Sequence, residues 1–491
     1  MECPFIHKFK NGQNKYIYDV NTNKIFNVND IVYNIIDYIY DKEENIIAKF
    51  SYKYSDTDVI NAIKSIKAFM AKEEVFLPNR PQCLDFFNQE EMRDKLKNEL
   101  NNITLIITER CNMRCKYCIY SGIYHYERTH SQINMSEEIA YNAIDFIFNH
   151  SKRSNEIIFS FYGGEPLLNF PLIKKSIIYI KKRNKNFDKK IDFSITTNGT
   201  LLNDQRISFL VSNKIAIALS LDGPKAIHDR YRIYPTGRGT YNKIFNNLIK
   251  LKKKNEDFFR ERVVLNMVLT PPFDLFSIDK WFNENKDLLN DIKIEVNMMI
   301  PFNNKFFESN KLDRIKNYCL YLFQEKKLLY IYLDSIIKNE RPSLFLITLF
   351  EDDLKNIHLR REYKKFSNNF RMSHLCIPGK RSLLVDVKGK LHFCPNVSSN
   401  MAIGNVKEGF EFSRIFSIVS QFINISQDCL DCWAIRLCNK SCYHIAAKGE
   451  VFDINLKKKI CSNIRKNIEI MLAFYCELQA VSYTHLTLPT N

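Results

Sequence analysis

Three cysteines fall within eight residues, Cys111-Asn-Met-Arg-Cys115-Lys-Tyr-Cys118, and no other stretch restricts the fold of this chain so strongly. They follow Ile103 to Ile107, a short β-branched apolar run that reads as a buried strand. A strand ending in three thiols delivers soft ligands to one loop, suited to an iron–sulfur cluster or to zinc. A four-iron cluster takes four ligands, so three cysteines leave one iron open to a ligand that is not protein. A zinc knuckle completed by His125 or His130 satisfies the same spacing. On spacing alone the two readings stand level.

With Tyr117 in the aromatic place, Cys-x3-Cys-x-aromatic-Cys after a first strand resembles the signature of radical S-adenosylmethionine enzymes. The resemblance implies a 4Fe-4S cluster on Cys111, Cys115 and Cys118, with S-adenosyl-L-methionine chelating the open iron. It implies reductive cleavage of that cofactor to a 5′-deoxyadenosyl radical, which takes a hydrogen atom from the substrate. The hard chemistry then belongs to the cofactors, and the protein supplies placement and shielding.

From 102 to about 300 the sequence alternates. Apolar strands are expected at 103–107, 156–162, 191–196, 215–220, 262–269 and 292–298, with helices near 136–150, 170–183, 203–213, 240–254 and 275–286. This spacing predicts a parallel sheet with crossover helices, an α/β fold matching the partial (β/α)6 TIM-like barrel of the family. Ligands in such barrels collect where strands end. Gly163-Gly164-Glu165-Pro166 ends the second strand, and paired glycines there permit close backbone approach. In the resemblance this stretch holds the methionine amino group. Thr196-Thr197-Asn198-Gly199-Thr200 ends the third strand and Ser220-Leu221-Asp222-Gly223-Pro224 the fourth, positions from which hydroxyl and carboxyl groups reach a ribose or simply close a turn. In the peptide-modifying branch, residues matching Ser220 and Arg232 contact the cofactor, and Lys225, His228 and Asp229 between them are typical of that branch. His228 by itself reads as a surface histidine.

Residues 1–80 read as a unit of their own. Strands at Phe5–Phe9, Tyr16–Val20 and Lys24–Val28 precede two helices capped by Asn29-Asp30 and Ser55-Asp56. Three strands followed by helices resemble the winged-helix-like leader-recognition element of ribosomal-peptide modifying enzymes, in which a precursor peptide adds a strand to the sheet edge. An N-terminal cap on the barrel is the plainer alternative. Residues 81–100 form a linker and a charged helix, 101–302 the barrel, and 303–372 a helical bridge in which Cys319 reads as a buried core thiol.

Residues 373–480 hold a second cysteine set: Cys376, Cys394, Cys429, Cys432, Cys438, Cys442 and Cys461, with Gly389 five residues before Cys394. The set resembles a SPASM extension carrying two auxiliary clusters, which makes three 4Fe-4S clusters in all. The family's interleaved pattern implies Cys376, Cys394 and Cys442 for the first and Cys429, Cys432, Cys438 and Cys461 for the second. The first then lacks a fourth cysteine, and its open iron is expected to accept a substrate thiolate. A structural zinc on Cys429, Cys432, Cys438 and Cys442 is the competing arrangement. Sulfatase-maturing relatives carry a catalytic aspartate directly after the cysteine matching Cys394, where this chain has Pro395.

Composition narrows the setting. Fourteen cysteines without a secretory layout at the N-terminus argue for metal or redox chemistry in the cytoplasm, not for disulfides. No apolar run is long enough for a membrane span. The formal charge of +17 admits nucleic acid as a partner, but clusters such as Lys252-Lys253-Lys254 and Lys457-Lys458-Lys459 read as solvated helix faces, so nucleic acid is not expected. Val481-Ser-Tyr-Thr-His-Leu486 and the residues after it resemble translated sequencing-adapter DNA, so 481–491 are expected to lie outside the native fold.

Together these features lead to a radical S-adenosylmethionine maturase of a Cys-rich precursor peptide. It would recognise the leader, form sulfur-to-carbon thioethers and draw electrons from a flavodoxin- or ferredoxin-type donor. Two alternatives are an anaerobic sulfatase-maturase-type enzyme making formylglycine and a redox-sensing nucleic-acid-binding regulator.

Overall fold

The computed structural model describes residues 3–124, 128–290, 292–299, 304–372, 374–440 and 442–485. His125 therefore lies outside the described residues.

Strands β1 (Ile6–Asn11), β2 (Asn14–Asp19) and β3 (Lys24–Val28) form an antiparallel sheet in the order β1-β2-β3. Asn29 and Ser55 cap helices Asp30–Ile35 and Asp56–Glu73 with their side chains, as their positions before apolar periodic runs predict. A helix at Glu43–Phe50 was not foreseen. Alternation along β2 sends its residues to two cores. Ile17 packs with Ile35, Ile63 and Phe76 in the module's own core, whereas Tyr16 and Tyr18 join the main core of the molecule. The sheet is thus shared between the module and the rest of the chain.

A short strand, β4 (Cys83–Asp85), leads into the capped helix Gln89–Asn98 and then into the main sheet. Its barrel strands are β5 (Asn102–Thr108), β6 (Glu156–Gly163), β7 (Lys190–Thr197), β8 (Ala216–Ser220), β9 (Val263–Leu269) and β10 (Lys293–Met298). All five neighbouring pairs are parallel, with helices between them, and the expected strands and main crossover helices stand within a few residues of their predicted bounds. Central strands are apolar because both faces are covered. Short helices at Lys225–Tyr231 and Glu256–Arg262 are additions to the expected pattern.

The bridge is helical at Arg314–Ile337 and Leu344–His358. Cys319 is exposed on the first of these, not buried: the helix turns Tyr321, Leu328 and Leu329 inward and leaves Ile315, Cys319 and Phe323 outside. Strand β11 (Asn369–Arg371) pairs with β4. The C-terminal part then joins the barrel directly. Strand β12 (Leu384–Val385) adds in parallel to β5, and β13 (Lys390–His392), β14 (Ala402–Asn405) and β15 (Gly409–Phe410) continue antiparallel, giving one ten-stranded sheet in the order β10-β9-β8-β7-β6-β5-β12-β13-β14-β15. The last helix, Ile454–His485, runs into the segment expected to lie outside the fold, and 486–491 are outside the described residues. Among the described residues no helix is long and apolar enough to cross a membrane.

Candidate active site

The cysteine loop leaves the C-terminal end of β5 and is tied down on two sides by backbone. On one side the Gly164 and Glu165 N–H groups donate to the carbonyls of Thr108 and Arg110, each at 2.8 Å. A Cβ on Gly163 would stand 2.2 Å from the Thr108 carbonyl oxygen, and one on Gly164 2.2 Å from that of Arg110. Gly163 also has a φ of +139°, which side-chain-bearing residues rarely adopt. Both glycines are therefore required by the closeness of the two strand ends. On the other side the N–H groups of Arg114 and Lys116 donate to the carbonyls of Ile233 and Tyr231, at 2.8 and 3.0 Å, bringing Arg232 against the loop.

The loop opens onto a cavity of 580 Å³. Cys111, Cys115, Cys118 and Tyr117 line it from the loop, Gly163, Gly164 and Ser220 from the neighbouring strand ends, and Arg232 from the end of the short helix Lys225–Tyr231. Glu165 and Pro166 are not in its wall. Glu165 is fully buried behind it, accepting from the Thr197 hydroxyl at 2.8 Å, the Asn198 N–H at 2.7 Å and the Leu167 N–H at 3.0 Å. Its carboxylate thus joins the ends of β6 and β7.

Burial and mutual repulsion raise the thiols. Cys111 and Cys118 are pushed up to about 12, chiefly by desolvation, with Glu165 and Cys115 adding to the rise of Cys111 and Cys115 and Cys111 to that of Cys118. Backbone N–H groups two residues on oppose this: Met113 donates to Cys111 Sγ and Tyr120 to Cys118 Sγ, both at 3.4 Å. Donors aimed at sulfur favour the thiolate, the form that binds metal. Among the described residues no three His, Cys, Asp or Glu side chains converge on a point as a single ion requires; in a four-iron cluster each thiolate holds a different iron, so wider spacing serves. His130 lines the cavity, but its Nδ1 faces the Glu109 carbonyl at 3.4 Å and its ring stacks on Tyr120.

Behind the loop is a buried charged network. The Tyr117 hydroxyl donates to Asp222, and Arg232 reaches Tyr117 Oη at 2.7 Å and Asp222 at 3.7 Å. Burial lifts the Asp222 carboxyl, and Arg232 and the Tyr117 hydroxyl pull it back. The Arg232 guanidinium stays charged, since the groups around it outweigh its desolvation. Its Nε is buried without a partner among the described residues, a donor left beside the cavity for an anionic group such as a cofactor carboxylate. His228 is buried, not on the surface: its Nδ1 accepts from the Asp222 N–H at 3.2 Å and its Nε2 meets the Thr240 hydroxyl at 3.0 Å. Burial and the nearby Arg232 and Lys225 depress its pKa well below the usual histidine range. Asp222 and Asn198 fell within quoted stretches but were not singled out by sequence. Asn198 lines the cavity and directs its amide to Asn112 Oδ1 at 2.9 Å and Cys111 Sγ at 3.9 Å.

The far wall comes from the Cys-rich C-terminal part: Pro395, Asn396 and His444. Sequence reading missed His444, because nothing local brings the segment after Cys442 to the end of the barrel. Cys376, Cys394 and Cys442 lie near enough for Cys442 to raise the thiols of the other two, to about 11 for Cys376 and about 12 for Cys394, burial being the main cause. Asn396 N–H donates to Cys394 Sγ at 3.4 Å, and Arg128, buried beside Cys394, has among the described residues no hydrogen-bond partner for any guanidinium nitrogen. An unanswered buried cation beside clustered thiols suits an anionic, thiolate-ligated cluster. Cys461 lies instead with Cys429, Cys432 and Cys438, through its place on the final helix. Lys457, expected on a solvated face, is buried against this second group.

The family described as the radical SAM superfamily matches residues 105–281, the span from the first barrel strand through the fifth crossover helix. The chain belongs to the radical SAM superfamily. It is therefore an enzyme that uses S-adenosylmethionine with a 4Fe-4S cluster. Across 432 residues it is 24% identical to the radical SAM cyclopropyl synthase TigE of Paramaledivibacter caminithermalis, covering 84% of this chain and 83% of that protein. It is 23% identical over 375 residues to the cysteine-type anaerobic sulfatase-maturating enzyme of Clostridium perfringens, covering 75% of this chain and 90% of that one. The solved structure of native anSMEcpe with bound AdoMet and Cp18Cys peptide shares the fold, with a TM-score of 0.57 at 23% identity, covering 76% and 99% of the two chains. This radical SAM enzyme is thus related to sulfatase maturases and to a cyclopropyl synthase alike, and its Cys-rich C-terminus fits a SPASM-type extension.

Proposed function

We propose that this radical SAM enzyme matures a ribosomally made Cys-rich peptide, joining a cysteine sulfur to a peptide carbon as a thioether. One observation carries the reading: the three-cysteine loop shares a single cavity with Pro395, Asn396 and His444 of the Cys-rich extension. A peptide side chain entering that cavity meets the cofactor from one side and the first auxiliary group from the other. Pro395 stands in the wall where the sulfatase maturases of the resemblance carry an aspartate, and a proline accepts no proton. This disfavours formylglycine formation despite the relationship to those enzymes.

In this reading Cys111, Cys115 and Cys118 hold the reducible cluster, and Gly163, Gly164, Ser220 and Arg232 receive S-adenosylmethionine. Cys376, Cys394 and Cys442 hold a first auxiliary cluster; Cys429, Cys432, Cys438 and Cys461 hold a second. When bound, these groups supply one-electron chemistry able to take a hydrogen atom from carbon. The protein's part is placement: the glycines admit the cofactor's backbone contacts, the buried Arg232 supplies a fixed cation, and Glu165 locks the strand ends. The leader docks on β3. Of the sheet's two edges, β1 lies against the C-terminal helix through His7–Glu469 and Asn11–Glu477 contacts, whereas among the described residues β3 pairs only with β2. Phe69, 38% exposed, packs its ring on Phe26 beside that free edge and offers an apolar pocket wall. A flavodoxin- or ferredoxin-type protein supplies the electron.

Incubating the reconstituted enzyme with a Cys-rich peptide encoded beside it, S-adenosylmethionine and a reductant tests the reading by mass spectrometry. Loss of two hydrogens together with one alkylatable thiol is expected. Loss of two hydrogens with every thiol intact points to carbon–carbon bond formation as in a cyclopropyl synthase, and a hydrazide-reactive aldehyde points to formylglycine. Either replaces the thioether assignment.

A further inference from the structure

The lysine run at 457–459 contains one residue that does not behave like a surface lysine. Lys457 is 1% exposed. Its ammonium donates to Asp428 Oδ1 at 2.5 Å and to Cys429 Sγ at 3.6 Å. It sits in the first turn of the helix Ile454–His485, four residues before Cys461, so one helix face carries both the cation and a cysteine of the same group. Asp453 accepts the N–H groups of Asn455 and Leu456 and fixes the start of that helix, and with it the lysine's position. Asp428 is 40% exposed, so a surface ion pair would have served charge balance without burying the ammonium. What burial adds is the contact with sulfur.

We propose that Lys457 tunes the reduction potential of the cluster held by Cys429, Cys432, Cys438 and Cys461, raising it through an N–H···S bond to Cys429. The proposal rests on the reading of those four cysteines as cluster ligands. Reduction adds one electron to a thiolate-ligated cluster and makes or breaks no bond. A fixed cation and a hydrogen bond to a ligating sulfur, both shielded from water, stabilise the more negative reduced form over the oxidised one. Lys457 thereby distinguishes this cluster from the one at Cys376, Cys394 and Cys442, where the neighbouring cation, Arg128, makes no hydrogen bond to sulfur among the described residues. Its role is positioning and electrostatic; it touches no substrate.

The test is a potentiometric titration followed by EPR on the full-length reconstituted protein, with Cys111, Cys115 and Cys118 replaced by Ala throughout to remove the first cluster's signal. Lys457→Met is expected to lower the midpoint of one remaining cluster by about 59 mV, a tenfold change in a one-electron equilibrium. Lys457→Arg, which keeps the charge and its donors, is expected to restore most of it. In protein labelled with 15N at the lysine side chains, pulsed EPR of the unsubstituted Lys457 form is expected to show a lysine nitrogen coupled to that cluster, a readout independent of whether Lys457→Met folds. Absence of that coupling, or an unmoved midpoint in Lys457→Met, overturns the inference while leaving the cluster assignment standing. Unchanged iron content after Cys429→Ala with Cys432→Ala removes the cluster assignment, and the inference with it.

Discussion

At the scale of single residues, the site is governed by how closely backbone approaches backbone and by which charges are kept from water. Gly164 illustrates the first. Any side chain there meets the Arg110 carbonyl, and because backbone cannot yield as a flexible side chain can, the cysteine loop must move. Gly164→Ala is expected to cost about 1–3 kcal/mol of stability, the usual range for overpacking, and to weaken S-adenosylmethionine binding at least roughly tenfold, measured by equilibrium dialysis of the reconstituted protein. His228 illustrates the second. Its folded pKa is depressed, so its contribution is fully present above the unfolded value near 6.5 and is lost as pH falls through and below that value. Thermal and denaturant unfolding of the wild type should therefore lose up to about 1.4 kcal/mol per pH unit from this group below roughly pH 6.5. His228→Gln, which cannot titrate, should lose correspondingly less over the same window; parallel pH profiles for the two proteins would exclude the assignment. The glycine pair was legible from sequence because it ends the strand that follows the cysteine loop; two adjacent glycines by themselves mark no more than a turn. The burial of His228 was not, since a histidine in a polar stretch carries no local mark of what later covers it.

At the scale of elements, the chain is read well wherever periodicity is local. All six barrel strands and the caps at Asn29 and Ser55 follow from β-branched runs and from oxygen-bearing side chains ahead of apolar helices. What the pattern does not show is which sheet edge is free. Strands β1 and β3 both mix apolar with polar residues, and it is the docking of the final helix on β1 that leaves β3 as the open edge among the described residues. Phe69→Glu, on the helix beside that edge, is expected to weaken leader-peptide affinity about tenfold, or roughly 1.4 kcal/mol. S-Adenosylmethionine cleavage without peptide should be unaffected. Fluorescence anisotropy of a labelled leader reads the first and 5′-deoxyadenosine release the second; unchanged leader affinity would move the docking site elsewhere. Lys457 belongs to the same lesson in reverse. A run of three lysines reads as a solvated face, but a helix turns successive residues by about a quarter of a circle, so one of three neighbours can point inward.

At the scale of the whole molecule, the N-terminal module is held to the Cys-rich part rather than hung from the barrel by a linker. Arg436 donates to the carbonyls of Val20 at 2.7 Å and Asn21 at 3.0 Å and lies over the rings of Phe366 and Tyr363, and His7 stacks on Trp433. Arg436→Ala leaves those carbonyls without their charged donor and is expected to cost about 2–3 kcal/mol. Because the module keeps a core of its own around Ile17, Ile35 and Ile63, unfolding of the variant should separate into two transitions by calorimetry. A single cooperative transition at the wild-type midpoint would show that the junction adds nothing.

By itself the sequence determined the parallel sheet, the three-cysteine loop at the end of its first strand and the glycine turn beside it, because each depends on neighbours only a few residues away. It also determined that two sets of cysteines exist. The family resemblance, not the local spacing, implied that Cys442 goes with Cys376 and Cys394 and Cys461 with Cys429, and the structure places them so. Tertiary structure alone decided that His444 and Pro395 face the barrel's cavity and that Lys457 is buried against sulfur. Those placements depend on β12 adding to β5 and on the final helix packing across the molecule. Contacts made across hundreds of residues are chosen by the burial of whole faces, and no local pattern records that choice.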